Sequence, residues 1–266
     1  MPPAPENSRA PLVAPIVCYV TDSISLSDSF ADHALTELLA RREAIPEGTG
    51  FNPSKQHPLQ TGALAPEAAL LLDRILAAAE AGVTWIQLRE KSWPGRTLLD
   101  FSLQVRARLA HLSPPPKLIV NDRLDVALTA GADGVQLGAS STPVDEAVRF
   151  LAERKVSSRF IVCASCHSLE EALAAESAGA THIYFGPIFD SPSKRAFGPP
   201  QGLSRLAEVC NAVKLPVIAI GGITSANARS CIDAGAQGVA AIRPFQDFHD
   251  ESRANNFVTS VKRLKI

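Results

Sequence analysis

The chain has 266 residues, of which 46% are hydrophobic and 6% aromatic, and its formal net charge is -1. This length and composition allow a large core and are typical of one α/β domain, whereas the near-neutral charge and few aromatic residues disfavour a nucleic-acid partner. No apolar run reaches the roughly 20 residues of a membrane span, and the opening stretch MPPAPEN lacks the charged and apolar parts of a secretion signal. We therefore expect a cytoplasmic protein without a membrane partner.

Short apolar segments predict eight β-strands in chain order. They are Ile16–Thr21, Thr84–Leu88, Lys117–Val120, Gly134–Leu137, Phe160–Ala164, His182–Phe185, Val217–Ile220 and Gly238–Ala241. Longer segments with apolar residues three and four apart predict helices between them. These are Glu67–Ala81, Thr97–His111, Arg123–Ala130, Val144–Glu153, Leu169–Ala178, Leu203–Val213, Ser225–Ala234 and Glu251–Leu264.

Eight strand–helix units in a chain of this length predict an α/β fold of the (β/α)8 TIM-barrel type. A doubly wound open sheet is the rival, but no Gly-x-Gly-x-x-Gly turn follows the first strand. Residues 1–266 are predicted to form a single domain, with a tail over residues 1–14. Residues 22–66 are predicted to be an insertion in the first βα loop, because such loops usually need two to six residues. The insertion suits a lid, an oligomer contact or an inert extension, so a homo-oligomer stays open.

The five cysteines are predicted to be structural thiols. They are Cys18, Cys163, Cys166, Cys210 and Cys231, an odd number spread along the chain. Cys163 and Cys166 have the spacing of a redox pair. They end a predicted strand, however, instead of opening a helix whose dipole would lower the pKa of a thiol. A zinc site is not indicated either.

The carboxyl ends of the strands are where TIM barrels build active sites. Gln87, Arg89 and Lys91 follow the second strand with a period of two, so we predict that they share one face and point into the barrel mouth. Two cations and an amide that converge there predict an anion-binding site.

A phosphate site is predicted after the later strands. Gly221 and Gly222 follow the seventh strand, where bare backbone lets amide groups approach phosphate oxygens. Hydroxyl groups and cations of the neighbouring loops add hydrogen-bond donors and charge. The further candidates are the hydroxyl-bearing Ser191 and Ser193, the cations Lys194 and Arg243, and Ile242, which follows the eighth strand.

Two other strand ends carry residues suited to different chemistry. After the third strand, Asn121 suits a heterocycle edge and Asp122 suits Mg2+, although Asp122 is also a good N-cap for the following helix. After the fifth strand, His167 suits acid–base chemistry, with a simple lead into the next helix as the alternative.

Taken together, these strand ends resemble thiamine phosphate synthases and the related thiazole tautomerases. The matching motifs are Gln87-x-Arg89-x-Lys91, Asn121-Asp122-Arg123, Ser165-x-His167, Gly186-Pro-Ile-Phe-x-Ser-x-Ser-Lys194 and Gly221-Gly222-Ile223-Thr224. They extend from about Ile16 to Phe245, apart from the insertion. The resemblance implies a transferase that joins an aminopyrimidine diphosphate to a thiazole phosphate and releases pyrophosphate, with Mg2+ as cofactor and phosphorylated small molecules as partners.

The resemblance also implies a function for each residue. Gln87, Arg89, Lys91 and Lys194 would hold the pyrophosphate, and Ser165 would bind a diphosphate oxygen. Asn121 would bind the pyrimidine, Asp122 the Mg2+, and Ser191, Ser193 and Gly222 the thiazole side. Asn121, Lys194 and His167 are the catalytic candidates.

This chain departs from the synthase pattern after the fourth strand. Synthases usually carry His-x-Gly-Gln-x-Asp there, whereas this chain reads Gln136-Leu-Gly-Ala-Ser-Ser141. Ser141 is therefore the candidate second metal ligand, and a neutral ligand weakens Mg2+ binding. Arg243 also stands where a serine is common.

Gln136 and Ser165-x-His167 look more like the tautomerase branch, which moves a proton on a thiazole carboxylate phosphate with a histidine and without metal. The retained anion and metal residues favour the synthase. The tautomerase, and a non-catalytic binder of thiazole or thiamine phosphate, are the alternatives.

Overall fold

The structure, a computed structural model, describes residues 14–23, 66–156, 158–190, 199–246 and 252–262. Its eight strands are β1 (Ile16–Val20), β2 (Trp85–Leu88), β3 (Lys117–Asn121), β4 (Gly134–Leu137), β5 (Ile161–Cys166), β6 (His182–Phe185), β7 (Val217–Ile220) and β8 (Gly238–Ala241). Each strand pairs in parallel with the next, and β8 pairs with β1 to close the barrel. The predicted TIM barrel is confirmed.

Helices surround the barrel at the predicted places. They are α1 (Pro66–Ala81), α2 (Gly95–Leu109), α3 (Leu124–Ala130), α4 (Val144–Glu153), α5 (Leu169–Ser177), α6 (Gly202–Ala212), α7 (Ala228–Asp233), α8 (Arg243–Gln246) and α9 (Ser252–Lys262). The short helix α8 was not predicted. Helix α7 begins three residues later than predicted because the Asn227 side chain ties the preceding turn, accepting from Thr224 N–H at 2.8 Å and donating to the Gly222 carbonyl at 3.0 Å.

Alternation along the strands divides the apolar core into two layers. The inner layer, which fills the barrel, consists of Cys18, Val20, Trp85, Ile119, Ile161, Cys163, Tyr184, Ile218 and Ala240. A larger outer layer lies between the strands and the helices. Four polar side chains, those of Gln87, Asn121, Gln136 and Ser165, have the inward parity and stand at the carboxyl ends of their strands. The apolar inner layer therefore lies directly beneath the polar side chains at the mouth of the barrel.

The cysteines are free, as predicted. Cys163 belongs to the inner layer and Cys166 to the outer one, since residues three apart on a strand lie on opposite faces. Burial raises the pKa of the Cys166 thiol to about 12, well above its ordinary value. A thiol with so high a pKa stays protonated at neutral pH, which suits a packing function.

Several of the predicted segments and site residues lie outside the described residues. The tail over residues 1–14 and the insertion over residues 22–66 do so except at their ends, and Ser191, Ser193 and Lys194 do so entirely. Among the helices that the structure describes, none is long and apolar enough to cross a membrane.

Candidate active site

A chain of hydrogen bonds links the four polar side chains at the barrel mouth. Gln87 Nε2 donates to Asn121 Oδ1 at 3.1 Å and to Gln136 Oε1 at 3.0 Å. Gln136 Nε2 donates to Ser165 Oγ at 2.5 Å. The three amides are at most 8% exposed, so the network crosses four consecutive strands almost out of contact with solvent.

The carboxylate of Asp122 fixes the direction of this network. Its oxygens accept one hydrogen bond from Asn121 Nδ2, at 2.7 Å, and one from the Ser141 hydroxyl. An ionised carboxylate can only accept, so Asn121 must turn its amide nitrogen towards Asp122 and its oxygen towards Gln87. Gln87 must then donate, which fixes the orientation of Gln136 in turn.

This orientation decides what the site can offer to a ligand. Both amide hydrogens of Gln87 are engaged, and its Oε1 is buried without a hydrogen-bond partner among the described residues. Ser165 Oγ accepts from Gln136, so its own proton stays available. A buried acceptor without a partner costs free energy. Gln87 therefore suits a ligand group that donates, and Ser165 suits one that accepts.

Asp122 is held in an unusual backbone conformation. Its φ of +61° lies in the left-handed region, which aspartate visits more readily than most residues. Its N–H donates to the Gln136 carbonyl at 2.8 Å. Helix α3 is preceded by Arg123 at the N-cap position, without a side-chain cap bond. The alternative in which Asp122 caps this helix is therefore wrong, and its carboxylate is directed across the rim to Ser141.

The donor set around Asp122 fits a hard divalent cation. The Asp122 carboxylate supplies oxygen of the kind that Mg2+ prefers, and the Ser141 hydroxyl is hydrogen-bonded to it. Over the described ranges, no group of three His, Cys, Asp or Glu residues is placed to hold a metal. These residues fit Mg2+ as an ion that takes one protein carboxylate and completes its shell with ligand oxygens and water.

The inward direction predicted for Gln87, Arg89 and Lys91 is confirmed for Gln87, which lies within β2 and has the parity of the inner-layer Trp85. Strand β2 ends at Leu88, so the alternation stops there. The Arg89 guanidinium lies 4.0 Å from an Asp22 carboxylate oxygen, and Lys91 is exposed. Both residues follow the end of β2 at the barrel rim, and their contact with an anion remains a prediction.

Glu90 is a rim residue that sequence reasoning did not select. It is only 5% exposed, and its two carboxylate oxygens accept from the Thr21 hydroxyl at 2.5 Å and from Ser23 N–H at 2.9 Å. Thr21 Oγ1 accepts in turn from Arg89 N–H at 3.0 Å. Glu90 thus ties the loop after β1 to the loop after β2. Its place between Arg89 and Lys91 in the sequence could have drawn attention to Glu90. Its hydrogen-bond partners could not be predicted, because they lie 67 and 69 residues earlier in the chain.

The buried carboxylate should make stability depend on pH. Burial raises the pKa of Glu90 above its ordinary value of 4.5, although the hydrogen bonds from Ser23 and Thr21 oppose this. The folded state then binds the proton more tightly, so its stabilising contribution is present below pH 4.5 and is lost as the pH rises through the raised pKa. In Glu90→Gln this loss should be absent. Urea unfolding of both proteins across this pH range measures the difference.

Glu153→Gln, which removes an exposed carboxylate of helix α4, corrects for the general effect of losing one negative charge. A stability difference between the parent chain and Glu90→Gln that rises with pH would contradict the sign of this prediction.

A cleft of about 580 Å³ opens between the loops after β7 and β8 and helix α9. The four described residues predicted for phosphate binding line it, namely Gly221, Gly222, Ile242 and Arg243. Arg253 of helix α9 lines it too and adds a second cation that sequence reasoning missed, and two carboxylates, those of Asp22 and Asp190, lie on the same cleft. The loops after the last two strands therefore form the enclosure that the barrel fold commonly uses for phosphate.

The two glycines are also required for packing between neighbouring loops. Gly221 accepts from Phe189 N–H at 3.0 Å. At Gly222, where φ is +68°, an added Cβ would lie 2.7 Å from the Asp190 carbonyl oxygen and 2.8 Å from the Phe189 one. Side chains at these positions would separate the loop after β6 from the loop after β7.

We expect Gly222→Ala to lower the free energy of unfolding by about 2–4 kcal/mol, because strain from the positive φ adds to the contact with backbone atoms. Gly202→Ala is the matched control, since Gly202 has a φ of +74° and no atom within 4 Å of an added Cβ. The control should lose only about 1 kcal/mol. Equal losses in urea unfolding would mean that the close loop contact contributes nothing.

The loop after β6 is anchored at both of its ends. Ile188 N–H donates to the Ile220 carbonyl at 2.9 Å, Gln201 N–H to the Pro187 carbonyl at 2.7 Å, and Gly202 N–H to the Ile188 carbonyl at 3.1 Å. Residues 191–198, which include the predicted anion-binding Ser191, Ser193 and Lys194, lie between these anchors and outside the described residues.

His167 has a defined tautomer. Its Nδ1 lies 2.5 Å from the Gly186 carbonyl oxygen, and since a carbonyl only accepts, Nδ1 carries the hydrogen and Nε2 is the basic nitrogen. Helix α5 is capped by Ser168, whose hydroxyl accepts from Glu171 N–H at 3.1 Å. The helix start therefore does not depend on the His167 side chain, and its acid–base function remains a prediction.

Comparison with known proteins shows the family to which this fold is similar. The model of the thiamine monophosphate synthase family matches residues 61–245. A thiamine-phosphate synthase of Methanoculleus marisnigri is 46% identical over 165 residues, 62% of this chain and 75% of that protein. One from Chlorobium phaeobacteroides is 38% identical over 192 residues, 71% of this chain and 89% of that protein. The solved structure of thiamine phosphate pyrophosphorylase from Pyrococcus furiosus aligns with a TM-score of 0.66 at 27% identity, covering 93% of this chain and 95% of that one.

Proposed function

We propose that this chain, which belongs to the thiamine monophosphate synthase family, is a transferase that joins hydroxymethylpyrimidine diphosphate to thiazole phosphate and releases pyrophosphate. The network at the barrel mouth carries this proposal, because Asp122 leaves Gln87 as an acceptor and Ser165 as a donor. An acceptor suits the amino group of an aminopyrimidine, and a hydroxyl donor suits a diphosphate oxygen.

Gln87 is therefore assigned differently from what the resemblance implies. Its amide hydrogens are both used within the protein, so it has no donor left for the pyrophosphate, and we assign its Oε1 to the pyrimidine. Asn121 keeps one amide hydrogen beyond the one given to Asp122 and suits a ring nitrogen beside that amino group.

The cations of the rim are assigned to the leaving group. As the bond between the pyrimidine methylene and the diphosphate oxygen breaks, both electrons stay on the oxygen, and the cationic pyrimidine is captured by the thiazole nitrogen. Arg89, Lys91 and Lys194 would stabilise the departing charge, with Ser165 donating to it. Such preset charge is usually the largest contribution to catalysis of this kind.

The second substrate is assigned to the cleft after β7 and β8. Gly221, Gly222, Ile242 and Arg243 line this cleft, and an anionic phosphate suits its backbone amides and its arginine side chains. Ser191 and Ser193 are assigned to the same substrate on the family pattern.

Mg2+ is assigned to Asp122, with Ser141 beside it. A bound Mg2+ would neutralise charge on the diphosphate and so favour its departure. The proposal includes the cytoplasmic location and the phosphorylated small-molecule partners predicted from the sequence.

Supplying the purified chain with both substrates and Mg2+ tests the proposal. We expect pyrophosphate release that needs the thiazole phosphate and yields thiamine phosphate, detected by mass. Tight binding of both substrates without any pyrophosphate release would contradict a transferase and support a non-catalytic binder.

Proton transfer on a thiazole carboxylate phosphate is the second candidate activity. The basic Nε2 of His167 favours it, because a tautomer fixed by the Gly186 carbonyl suits a proton shuttle. For a synthase, His167→Ala should change kcat/KM of transfer by less than about tenfold, in the same range as the exposed control His111→Ala. Metal-independent isomerisation that His167→Ala abolishes and His111→Ala keeps would instead identify a tautomerase.

A further inference from the structure

The Ser141 hydroxyl both accepts and donates a hydrogen bond within the protein. Its oxygen accepts from Gly138 N–H at 2.7 Å, and its proton is donated to Asp122 Oδ1. The two directions follow from chemistry, because a backbone N–H only donates and a carboxylate only accepts. Ser141 thus acts on Asp122, while the turn after β4 holds Ser141 in place.

Some of the lone pairs with which Asp122 could bind a cation are therefore already used in hydrogen bonds. Asn121 Nδ2 and the Ser141 hydroxyl each occupy one of its two oxygens, which leaves about two of its roughly four lone-pair sites. Hydrogen bonds of this kind stabilise the carboxylate charge. They orient the remaining lone pairs. They also reduce the binding free energy that a free cation gains at this carboxylate.

The network also offers little negative charge to a free cation. Asp122 is the one carboxylate of the network, whereas Arg89 and Lys91 follow the end of neighbouring β2, with Asp22 lying 4.0 Å from Arg89. A bound diphosphate would reverse this balance by adding several negative charges. Mg2+ sites that use few protein carboxylates commonly take the rest of their ligands from substrate phosphates.

We propose that Ser141 is a positioning residue that holds Asp122 for a divalent cation, and that this site binds the cation together with a diphosphate and not ahead of it. The inference rests on the proposed function in requiring a diphosphate ligand. In this proposal Ser141 acts by holding Asp122, whereas the sequence pattern predicts that Ser141 binds the metal directly.

Calorimetry on the full chain tests the coupling, with Mn2+ as the metal probe and inorganic pyrophosphate as the anion. We expect Mn2+ to increase the affinity for pyrophosphate at least about tenfold, and Mn2+ alone to bind at least about tenfold more weakly than it binds Ser141→Asp. Mn2+ that binds the parent chain by itself as tightly as Ser141→Asp would overturn the proposal.

Two further variants test the positioning function. Ser141→Ala should reduce the Mn2+-dependent gain about tenfold, as loss of an outer partner of a metal ligand commonly does, without changing pyrophosphate affinity in the absence of metal. Ser141→Thr, which keeps the hydroxyl, should restore the gain. An equal loss of metal-free affinity in Ser141→Ala would show general damage to the site and would overturn the positioning function.

These measurements use neither the pyrimidine nor the thiazole, so they separate the two proposals. Metal-coupled pyrophosphate binding by a chain that forms no product would overturn the proposed function and leave this inference standing. Product formation by a chain that binds Mn2+ tightly on its own would overturn this inference and leave the proposed function standing.

Discussion

Asp122→Asn is expected to lower kcat/KM for pyrophosphate release on the order of 10³-fold, at the upper end of what the loss of one electrostatic group costs at a reacting centre. The variant loses the carboxylate assigned to Mg2+. It also turns an acceptor-only group into one with a donor end, which then faces the donors Asn121 Nδ2 and Ser141 Oγ. A flip of Asn121 would bring its amide nitrogen against that of Gln87, so the disturbance would extend along the network.

Asp125→Asn is the matched control for this change. Asp125 lies three residues further on, is exposed, and pairs with Arg123 at 2.6 Å outside the network. Its activity should stay within about twofold of the parent, because exposed ion pairs contribute little. If Asp122→Asn keeps more than a tenth of the parent kcat/KM, the carboxylate does not have the function assigned to it.

Gln87→Met is expected to lower the free energy of unfolding by about 1–3 kcal/mol, because two buried acceptors, Asn121 Oδ1 and Gln136 Oε1, would each lose a donor, while removal of the unpartnered Gln87 Oε1 offsets only one of these losses. The methionine roughly preserves the volume of the side chain, which separates hydrogen bonding from cavity formation. Urea unfolding measures the loss, and an unchanged m-value would show that the extent of unfolding is the same.

A glutamine on a helix serves as the control for Gln87→Met. Gln104 of α2 is half-buried and lies outside the network, and Gln104→Met should change stability by no more than about 0.5 kcal/mol. A Gln87→Met chain as stable as the parent would mean that the amide network does not stabilise the barrel.

The strands were predictable because each is a short apolar run between turn residues, and their bounds differ from the structure by two residues at most, as at the end of β5. The site followed from them, since Asn121, Ser165 and Gln136 lie at strand ends. The alternation of side chains applies to Gln87 and does not extend to Arg89 and Lys91, because β2 ends at Leu88 and side chains alternate only within a strand.

Contacts between distant parts of the chain could not be predicted in this way. The bonds of Glu90 to Thr21 and Ser23 depend on the pairing of β1 with β2, and no local pattern records them. The direction of the amides was inaccessible for the same reason. It is set by Asp122 through Asn121 and passed to Gln87 and Gln136. Gln87 lies 34 residues from Asn121 and 49 from Gln136 in the chain, and these side chains meet only where β2, β3 and β4 pair.

The backbone anchors at Pro187, Ile188 and Gln201 have a consequence for how the chain can be altered. They pair the described residues on either side of 191–198 with each other and with the end of β7, and none of these bonds uses a side chain of that segment. Directed evolution towards a different acceptor heterocycle should therefore find changes at Ser191 and Ser193, which are assigned to the thiazole side, at little loss of thermal resistance, while Lys194 should be kept for the leaving group.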